Sequence, residues 1–212
     1  TANGARDDSA LAAFAGSSSA YVRTCYDQTG NARHFQQPTA AYQPRIVNAG
    51  TNEVYGMLFN DEDFNYLEIA SASYSNYAGA TDVQVAGVFR LNDYVNSRTF
   101  DFGADVISVW LTYGGAIYLD TPYPDGRISY SPAWGLGITK TVSFERASTT
   151  SSIRVDGSVE HSASVSGSIS GTSAFRIGSS ISGSGYYDGW IQTFCIWKNA
   201  TSAAGRAAAI AP

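Results

Sequence analysis

Short runs of apolar and β-branched residues recur along the chain from Tyr21 onward, with turn residues between them. The runs read YVRTCYD, RIVNA, VYGMLF, YLEIA, VQVAGVFRL, VISVWLTY, AIYLD, ITKTVSFERA, SSIRVDG, AFRIG and WIQTFCIW. About ten short strands without a long helix between them predict an all-β sandwich or barrel.

The clearest local signal is SSIRVDGSVEHSAS, which reads as two extended arms joined at Asp156-Gly157. This dipeptide accepts the positive φ values of a type I′ turn, so a hairpin is predicted here. The surrounding stretch from 147 to 185 is rich in Ser and Gly, but apolar residues punctuate it at mostly even spacing. It therefore predicts thin, partly exposed strands rather than a flexible linker.

Both ends of the chain carry helix signals. Asp8 or Ser9 is a suitable N-cap, Leu11 and Phe14 lie three apart on one face, and Gly16 is a stop signal. At the other end, Thr201 or Ser202 could cap a short Ala-rich helix. No repeat or boundary divides the chain, so residues 1–212 are predicted to form a single domain.

Composition narrows the possible functions. The chain has 212 residues, a net charge of −5 and no Lys/Arg cluster, which excludes phosphate-backbone binding to nucleic acid. No apolar run approaches the roughly 20 residues of a membrane span. With two cysteines and two histidines, a zinc site of the usual spacing cannot form, and no metal or other cofactor is expected. Cys25 and Cys195 could join terminal strands as a disulfide, although two buried free thiols are the favoured alternative.

The most specific segment of the chain is TCYDQTGNARHFQQPTAAYQPRIVNAG. It resembles the signature of laminin-G-like (concanavalin-like) jelly-roll domains, which occur in phage tail and virion surface proteins. It is also similar to the catalytic domain of arabinofuranosidase B. The matching positions are Tyr26, Asp27, Gln28, Gly30, Asn31, His34, Gln37, Thr39, Gln43 and Pro44. The resemblance, which continues through VYGMLFNDEDFNYLEI, IRVDGSVE and the closing strands, implies a two-sheet antiparallel jelly-roll sandwich with short N- and C-terminal helices.

The signature has a physical explanation as a structural clasp. Asp27 and Asn31 can form Asx turns, Gly30 allows a left-handed residue, and Gln28 can satisfy a neighbouring loop. An isolated imidazole such as His34 is more often a scaffold residue than a base. We therefore interpret Tyr26, Asp27, Gln28, Gly30, Asn31 and His34 as structural, with direct ligand contact as the alternative.

Glycoside hydrolysis needs two carboxyl groups about 5 to 9.5 Å apart across one bond. Asp101 and Asp105 in TFDFGADV resemble a segment of the arabinofuranosidase. The likeness then stops, because the enzyme carries its nucleophilic Glu where this chain has Gly115 and Ala116. We therefore expect that the chain is not an enzyme.

A jelly roll without catalytic acids can still bind sugars through aromatic loops. Two segments fit, DTPYPDGRISYSPAW and SGSGYYDGW, although such rings also plug the ends of sandwiches. The candidate glycan contacts are Tyr123, Tyr130, Trp134, Tyr186, Tyr187, Asp188 and Trp190. The acidic turn NDEDFN could place Asp61 and Asp63 around Ca²⁺, but an exposed acidic turn is the favoured interpretation.

Together these observations predict an adhesion or decoration domain that recognises host surface glycans. The predicted location is a virion surface (tail, fibre or capsid exterior) or another extracellular site. Predicted partners are host surface polysaccharide or other virion proteins, and a homo-oligomer is left open. The alternatives are a glycoside hydrolase related to arabinofuranosidase and a purely structural capsid or tail decoration.

Overall fold

The computed structural model describes residues 6–28, 32–69, 82–94, 97–102, 107–113, 115–122, 124–131, 134–167, 169 and 174–198. The C-terminal helix predicted after Thr201 lies outside these residues, as do Gly30, Asn31, Asp105 and Tyr123.

The described elements are one α-helix, one short 3-10 helix at Ala40–Tyr42 and seventeen strands. In chain order they are α1 (Asp8–Ala15), β1 (Ala20–Tyr21), β2 (Thr24–Cys25), β3 (Phe35–Gln36), β4 (Arg45–Asn48), β5 (Thr51–Asn52), β6 (Met57–Phe59), β7 (Leu67–Ile69), β8 (Asp82–Leu91), β9 (Ser97–Phe102), β10 (Ile107–Tyr113), β11 (Ala116–Asp120), β12 (Ile128–Tyr130), β13 (Thr139–Ala147), β14 (Thr150–Val155), β15 (Ser158–Ser164), β16 (Phe175–Ile177) and β17 (Gly189–Lys198).

The strands form two sheets. The first sheet has the order β1-β4-β6-β17-β8-β13-β14-β15, with β5 paired to β4. The second sheet has the order β12-β11-β10-β9-β16-β7-β3-β2. Every strand pair among the described residues is antiparallel. The predicted all-β, two-sheet antiparallel sandwich is therefore confirmed.

The core lies between the sheets and consists of inward-facing side chains from both. Phe89 of the first sheet meets Phe100 of the second edge to face, with ring centroids 5.7 Å apart, and both are fully buried. Successive side chains of a strand point to opposite faces. In β9, Phe100 and Phe102 therefore enter the core while Asp101 points away from it.

The predicted hairpin is present. Strands β14 and β15 pair on either side of Asp156 and Gly157, whose φ angles are 49° and 84°. Both residues have the positive φ that a type I′ turn requires. The turn is reinforced by the Asp156 carboxylate, which accepts hydrogen bonds from the Lys140 ammonium and the Thr141 amide.

Helix α1 differs slightly from its prediction. Its N-cap is Asp7 rather than Asp8 or Ser9, because the Asp7 carboxylate accepts the N–H of Ala10 at 2.9 Å. Gly16 ends the helix with φ 58°, as predicted. Within the described residues, no helix is long and apolar enough to cross a membrane.

The two cysteines do not form the disulfide that the sequence left open. Cys25 lies on β2 at the edge of the second sheet, and Cys195 lies on β17 within the first sheet. Both thiols are free and half-buried.

Candidate functional site

The described part of the Tyr26 motif folds upon itself. The Asp27 amide donates to His34 Nδ1, and the Asp27 carboxylate accepts the amide of Arg33, each at 3.1 Å. The Gln28 side chain donates to the carbonyl of Tyr26. The His34 ring meets the Tyr26 ring edge to face. These contacts are local, as expected of residues that build a turn.

Several of the aromatic loops predicted as glycan contacts gather at one end of the sandwich. We call this region the loop end, and it consists of residues 60–65, 92–94, 134–138 and 186–188. The Asn92 side chain donates to both oxygens of the Asp188 carboxylate at 3.2 Å. The Tyr94 hydroxyl donates to the carbonyl of Trp134 at 3.0 Å. The rings of Phe64 and Tyr186 pack edge to face 5.0 Å apart.

Tyr187 must be removed from the candidate glycan contacts. Its side chain is fully buried, and its hydroxyl donates to the carbonyl of Arg90 at 3.1 Å. Burial raises its pKa well above the ordinary value, with a smaller contribution from Asp188. A ring with no exposed surface cannot stack on a sugar, so Tyr187 closes the end of the core instead.

Trp190 lies beside the loop end and is held by its neighbours. Its indole N–H donates to Glu53 at 3.0 Å, and Glu53 is also paired with Arg45. The Arg90 guanidinium lies 3.9 Å from the centroid of the Tyr55 ring and 5.8 Å from that of Trp190. Much of the Trp190 surface is therefore used in packing against this cluster.

The remaining candidates are Tyr130 and Asp188. A hydrogen bond to the Glu160 carboxylate raises the pKa of Tyr130 above its ordinary value. Desolvation raises the pKa of Asp188, and the nearby Asp61, Asp93 and Glu62 raise it further against the opposing hydrogen bond from Asn92.

A different group of residues forms a more organised surface on the second sheet. Its members are direct cross-strand neighbours along β3, β7, β16, β9, β10 and β11. We call this group the polar row, and its members in order are Gln36, Glu68, Arg176, Asp101, Ser108 and Asp120. Their neighbours along each strand belong to the core, so the row faces outward. With strands about 4.8 Å apart, the row spans about 24 Å.

Aromatic rings flank one end of the polar row. We call Trp110, Tyr113 and Tyr118 the aromatic corner. Tyr113 meets Trp110 and Tyr118 edge to face, with centroids 5.2 and 5.6 Å away. The Arg98 guanidinium lies 4.2 Å above the Trp110 ring, and that of Arg127 lies 4.9 Å above Tyr118.

Asp120 fixes this corner. The Arg127 guanidinium donates to the Asp120 carboxylate through Nε and Nη2, at 2.5 and 2.8 Å. The Trp110 indole N–H donates to the same carboxylate at 3.3 Å. Bidentate pairs of this kind fix the planes of both partners. The orientation of Trp110 is therefore set before any ligand arrives.

Tyrosine and arginine recur at the other end of the row. The Arg176 guanidinium lies 4.0 Å above the Tyr66 ring and is paired with Glu68 through Nε and Nη2. Tyr42 stacks near Tyr66 with centroids 6.2 Å apart. The loop of residues 179–184 folds over the middle of the row, where the Ile181 amide donates to Asp101 at 2.9 Å.

The middle of the row is buried, which is unusual for the outward face of a sheet. Asp101, Ser108 and Asp120 are fully buried although they point away from the core. The hydroxyl oxygens of Ser108 and Thr99 are buried and have no hydrogen-bond partner in the part of the chain that the structure describes. Buried polar atoms are normally paired, so these two hydroxyls are exceptions.

Asp101 does not have the surroundings of a general acid. Its carboxylate accepts hydrogen bonds from the Arg98 guanidinium at 2.8 Å and from the amide of Ile181, and it is fully buried. With these contacts and this burial, the carboxylate has no surface open to a glycosidic bond. Asp120 is held by Arg127 in the same manner.

Sequence reasoning missed Trp110, Tyr113, Tyr118, Arg98 and Arg176 as site residues. One signal was present, because in the strand VISVWLTY the apolar Val109 and Leu111 leave Trp110 at an outward position. The partners of Trp110 could not be identified, since they come from strands whose register is a property of the folded sheet.

The fold is shared with several solved structures. A mutant GH54 α-L-arabinofuranosidase soaked with 4-nitrophenyl α-L-arabinofuranoside matches with a TM-score of 0.73 and 14% identity, over 95% of this chain and 52% of that chain. Domain 4 of an extracellular GH43 arabinanase from Geobacillus stearothermophilus, solved with arabinotriose, matches with a TM-score of 0.54 and 12% identity, over 92% and 82% of the two chains. A mutant NanB sialidase from Streptococcus pneumoniae matches with a TM-score of 0.57 and 17% identity, over 71% and 26%.

At these identities the likeness shows the fold alone, an all-β two-sheet antiparallel jelly-roll sandwich shared with the arabinofuranosidases. The chain spans about half the length of the arabinofuranosidases, as the match covers 52% of theirs. No protein family model matches the sequence, and the comparison with curated proteins found no match.

Proposed function

We propose that this chain is a carbohydrate-binding domain that holds glycans on the outward face of its second sheet without cleaving them. The observation that carries the proposal is the aromatic corner, whose exposed and partly exposed rings lie beside the polar row. A sugar offers hydroxyls to polar groups and C–H faces to aromatic rings, and this surface supplies both kinds of partner.

The absence of catalysis is part of the proposal. Two carboxylates of the row, Asp101 and Asp120, are engaged by guanidinium groups and buried. A glycosidase needs one carboxyl group that can deliver a proton and a second that faces the same bond. Ion-paired structural carboxylates serve neither purpose.

The setting of the proposed activity is outside the cell. We propose that the domain is displayed on a virion or on another extracellular structure, where it attaches to host surface glycans. Support for the virion setting comes from the sequence resemblance around Tyr26. Support for glycan recognition comes from the site and from the arabinanase domain of the same fold, which was solved with arabinotriose.

Two matched tyrosine variants test the proposed site. Tyr113 at the aromatic corner and Tyr94 at the loop end are 44% and 47% exposed, so either can be shortened with little effect on the core. We expect Tyr113→Ala to raise the Kd for the bound glycan about tenfold, since one lost aromatic contact costs about 1.4 kcal/mol. Tyr94→Ala should leave the Kd unchanged.

The measurement is calorimetry or affinity electrophoresis of the folded domain with plant arabinans and with bacterial envelope polysaccharides. Loss of binding in Tyr94→Ala alone would move the site to the loop end, where Trp134 and Tyr186 lie. If no glycan binds, a purely structural decoration role replaces the proposal. Release of reducing sugar by the wild-type domain would contradict its non-catalytic part.

A further inference from the structure

We propose that the glycan bound at the polar row is a neutral one, and that uronic, sialic and sulfated sugars are excluded. This inference rests on the proposed function and specifies its ligand class. Its basis is the pairing of charges on the outward face of the second sheet.

Each guanidinium that lies on an aromatic ring of this face has a carboxylate of its own. Arg98 is paired with Asp101 at 2.8 Å, Arg127 with Asp120 at 2.5 Å, and Arg176 with Glu68 at 2.6 Å. The three positive charges are therefore balanced by three negative charges on the same face. An acidic sugar would find positive groups whose charge is already neutralised.

These arginines also cannot turn toward an anionic ligand without losing contacts that they make in the folded protein. The guanidinium groups lie over aromatic rings: Arg98 over Trp110, Arg127 over Tyr118 and Arg176 over Tyr66. An arginine that turned toward a ligand would lose its contact with the ring. Asp101 and Asp120 are fully buried, so an arginine that moved away would leave a buried carboxylate without its positive partner. Removing one partner of a buried pair is strongly unfavourable.

The charge of the whole chain acts in the same direction. The chain as a whole carries a net charge of −5, which repels polyanions at long range. The local and the global electrostatics therefore point to the same ligand class.

Two glutamate variants test the pairing argument. Glu68→Gln leaves Arg176 without its carboxylate on the proposed face. Glu53→Gln does the same to Arg45 on the first sheet, away from that face. Each raises the formal net charge by one unit, so non-specific attraction to polyanions changes equally. We expect Glu68→Gln to raise the fraction bound to polygalacturonate, at a fixed polymer concentration, at least threefold over the wild-type background, and Glu53→Gln to raise it less than twofold.

The wild-type domain is titrated in parallel with neutral polymers (arabinan, arabinoxylan, galactan, β-glucan, mannan) and with anionic ones (polygalacturonate, alginate, heparin). The inference expects binding in the neutral group alone, with a Kd that changes less than twofold between 50 and 500 mM NaCl, because screening acts on net charge. Preferential binding of an anionic polymer, weakened by salt, would overturn the inference while leaving the proposed function standing.

Equal gains in both glutamate variants, or none, would overturn the charge-pairing argument. Failure to bind any polymer would remove the proposed function and this inference together.

Discussion

At the scale of single residues, the alternation that builds the core also builds the candidate site. In β16, Phe175 and Ile177 pack in the core while Arg176 between them joins the polar row. In β10, Val109 and Leu111 are buried while Trp110 reaches the aromatic corner. The alternation of each strand therefore places core side chains on one face and the side chains of the candidate site on the other.

Asp188 gives a prediction about pH. Its pKa is raised, first by desolvation, and the acidic residues Asp61, Asp93 and Glu62 add to the rise. A carboxyl group whose folded-state pKa is raised favours the folded state when it is protonated. Its contribution is therefore fully present below the unfolded pKa of about 3.9 and is lost as the pH rises through the folded pKa.

We therefore expect Asp188→Asn to raise the free energy of unfolding at pH 7, while Asn92 keeps an acceptor for its side-chain N–H. The difference from wild type should shrink below pH 4. Urea unfolding followed by tryptophan fluorescence at both pH values measures it. A variant less stable than wild type at pH 7 would show that the hydrogen bond from Asn92 to the charged carboxylate outweighs the desolvation.

At the scale of elements, the sandwich depends on the pairing of β8 with β17 at the centre of the first sheet. The register between them runs from Gly189↔Leu91 to Lys198↔Val83 and shifts between Ile191 and Thr193. The shift adds a residue to β17, which is a β-bulge. Gly87 lies opposite the shifted part, where the backbone of β17 comes close.

Gly87→Ala tests this close approach. A Cβ at this position would lie 2.6 Å from the Thr193 carbonyl oxygen and would also clash with the Phe89 ring. We expect a loss of stability of about 1–3 kcal/mol, typical of overpacking. The comparison is Gly157→Ala in the hairpin turn, where no atom lies within 4 Å of the new Cβ and only its φ of 84° is unfavourable. Chemical denaturation of both variants measures the two losses, and a Gly87→Ala loss below that of Gly157→Ala would contradict the close approach.

At the scale of the whole molecule, the candidate site is built from chain segments that are distant in sequence. The polar row takes one residue from each of six strands, spread from Gln36 to Arg176. The loop of residues 179–184 then covers the middle of the row through Ile181. The row and its buried middle are therefore properties of the assembled sandwich, and no continuous segment of the chain contains them.

The cysteines provide a test of the whole arrangement of the sheets. Cys25 and Cys195 lie in different sheets, and burial raises the pKa of both thiols. A raised pKa lowers the thiolate fraction at neutral pH and slows alkylation. We expect iodoacetamide at pH 7 to modify the native protein slowly and to add two labels after unfolding without reductant, as read by mass spectrometry. Two labels that appear only after reduction would demonstrate a disulfide and would contradict the separation of β2 and β17.

The local features were predictable because each depends on neighbouring residues. Asp156 and Gly157 specify a tight turn through their backbone preferences, and Gly16 ends α1 for the same reason. The resemblance around Tyr26 also led to the correct sandwich. Tyr187 shows the limit of such reasoning, because a tyrosine in a Gly- and Ser-rich segment has the pattern of an exposed loop and is nevertheless fully buried.

The sequence by itself therefore determined that this protein is an all-β sandwich with a hairpin at Asp156-Gly157, since strand alternation and turn chemistry act over a few residues. Only the tertiary structure decided that Asp101, Ser108 and Asp120 lie side by side and that Arg98, Arg127 and Arg176 each have a carboxylate partner. The reason is physical: strand order and register arise from packing across the whole sandwich, and a shift of one residue would turn every side chain of a strand to the opposite face.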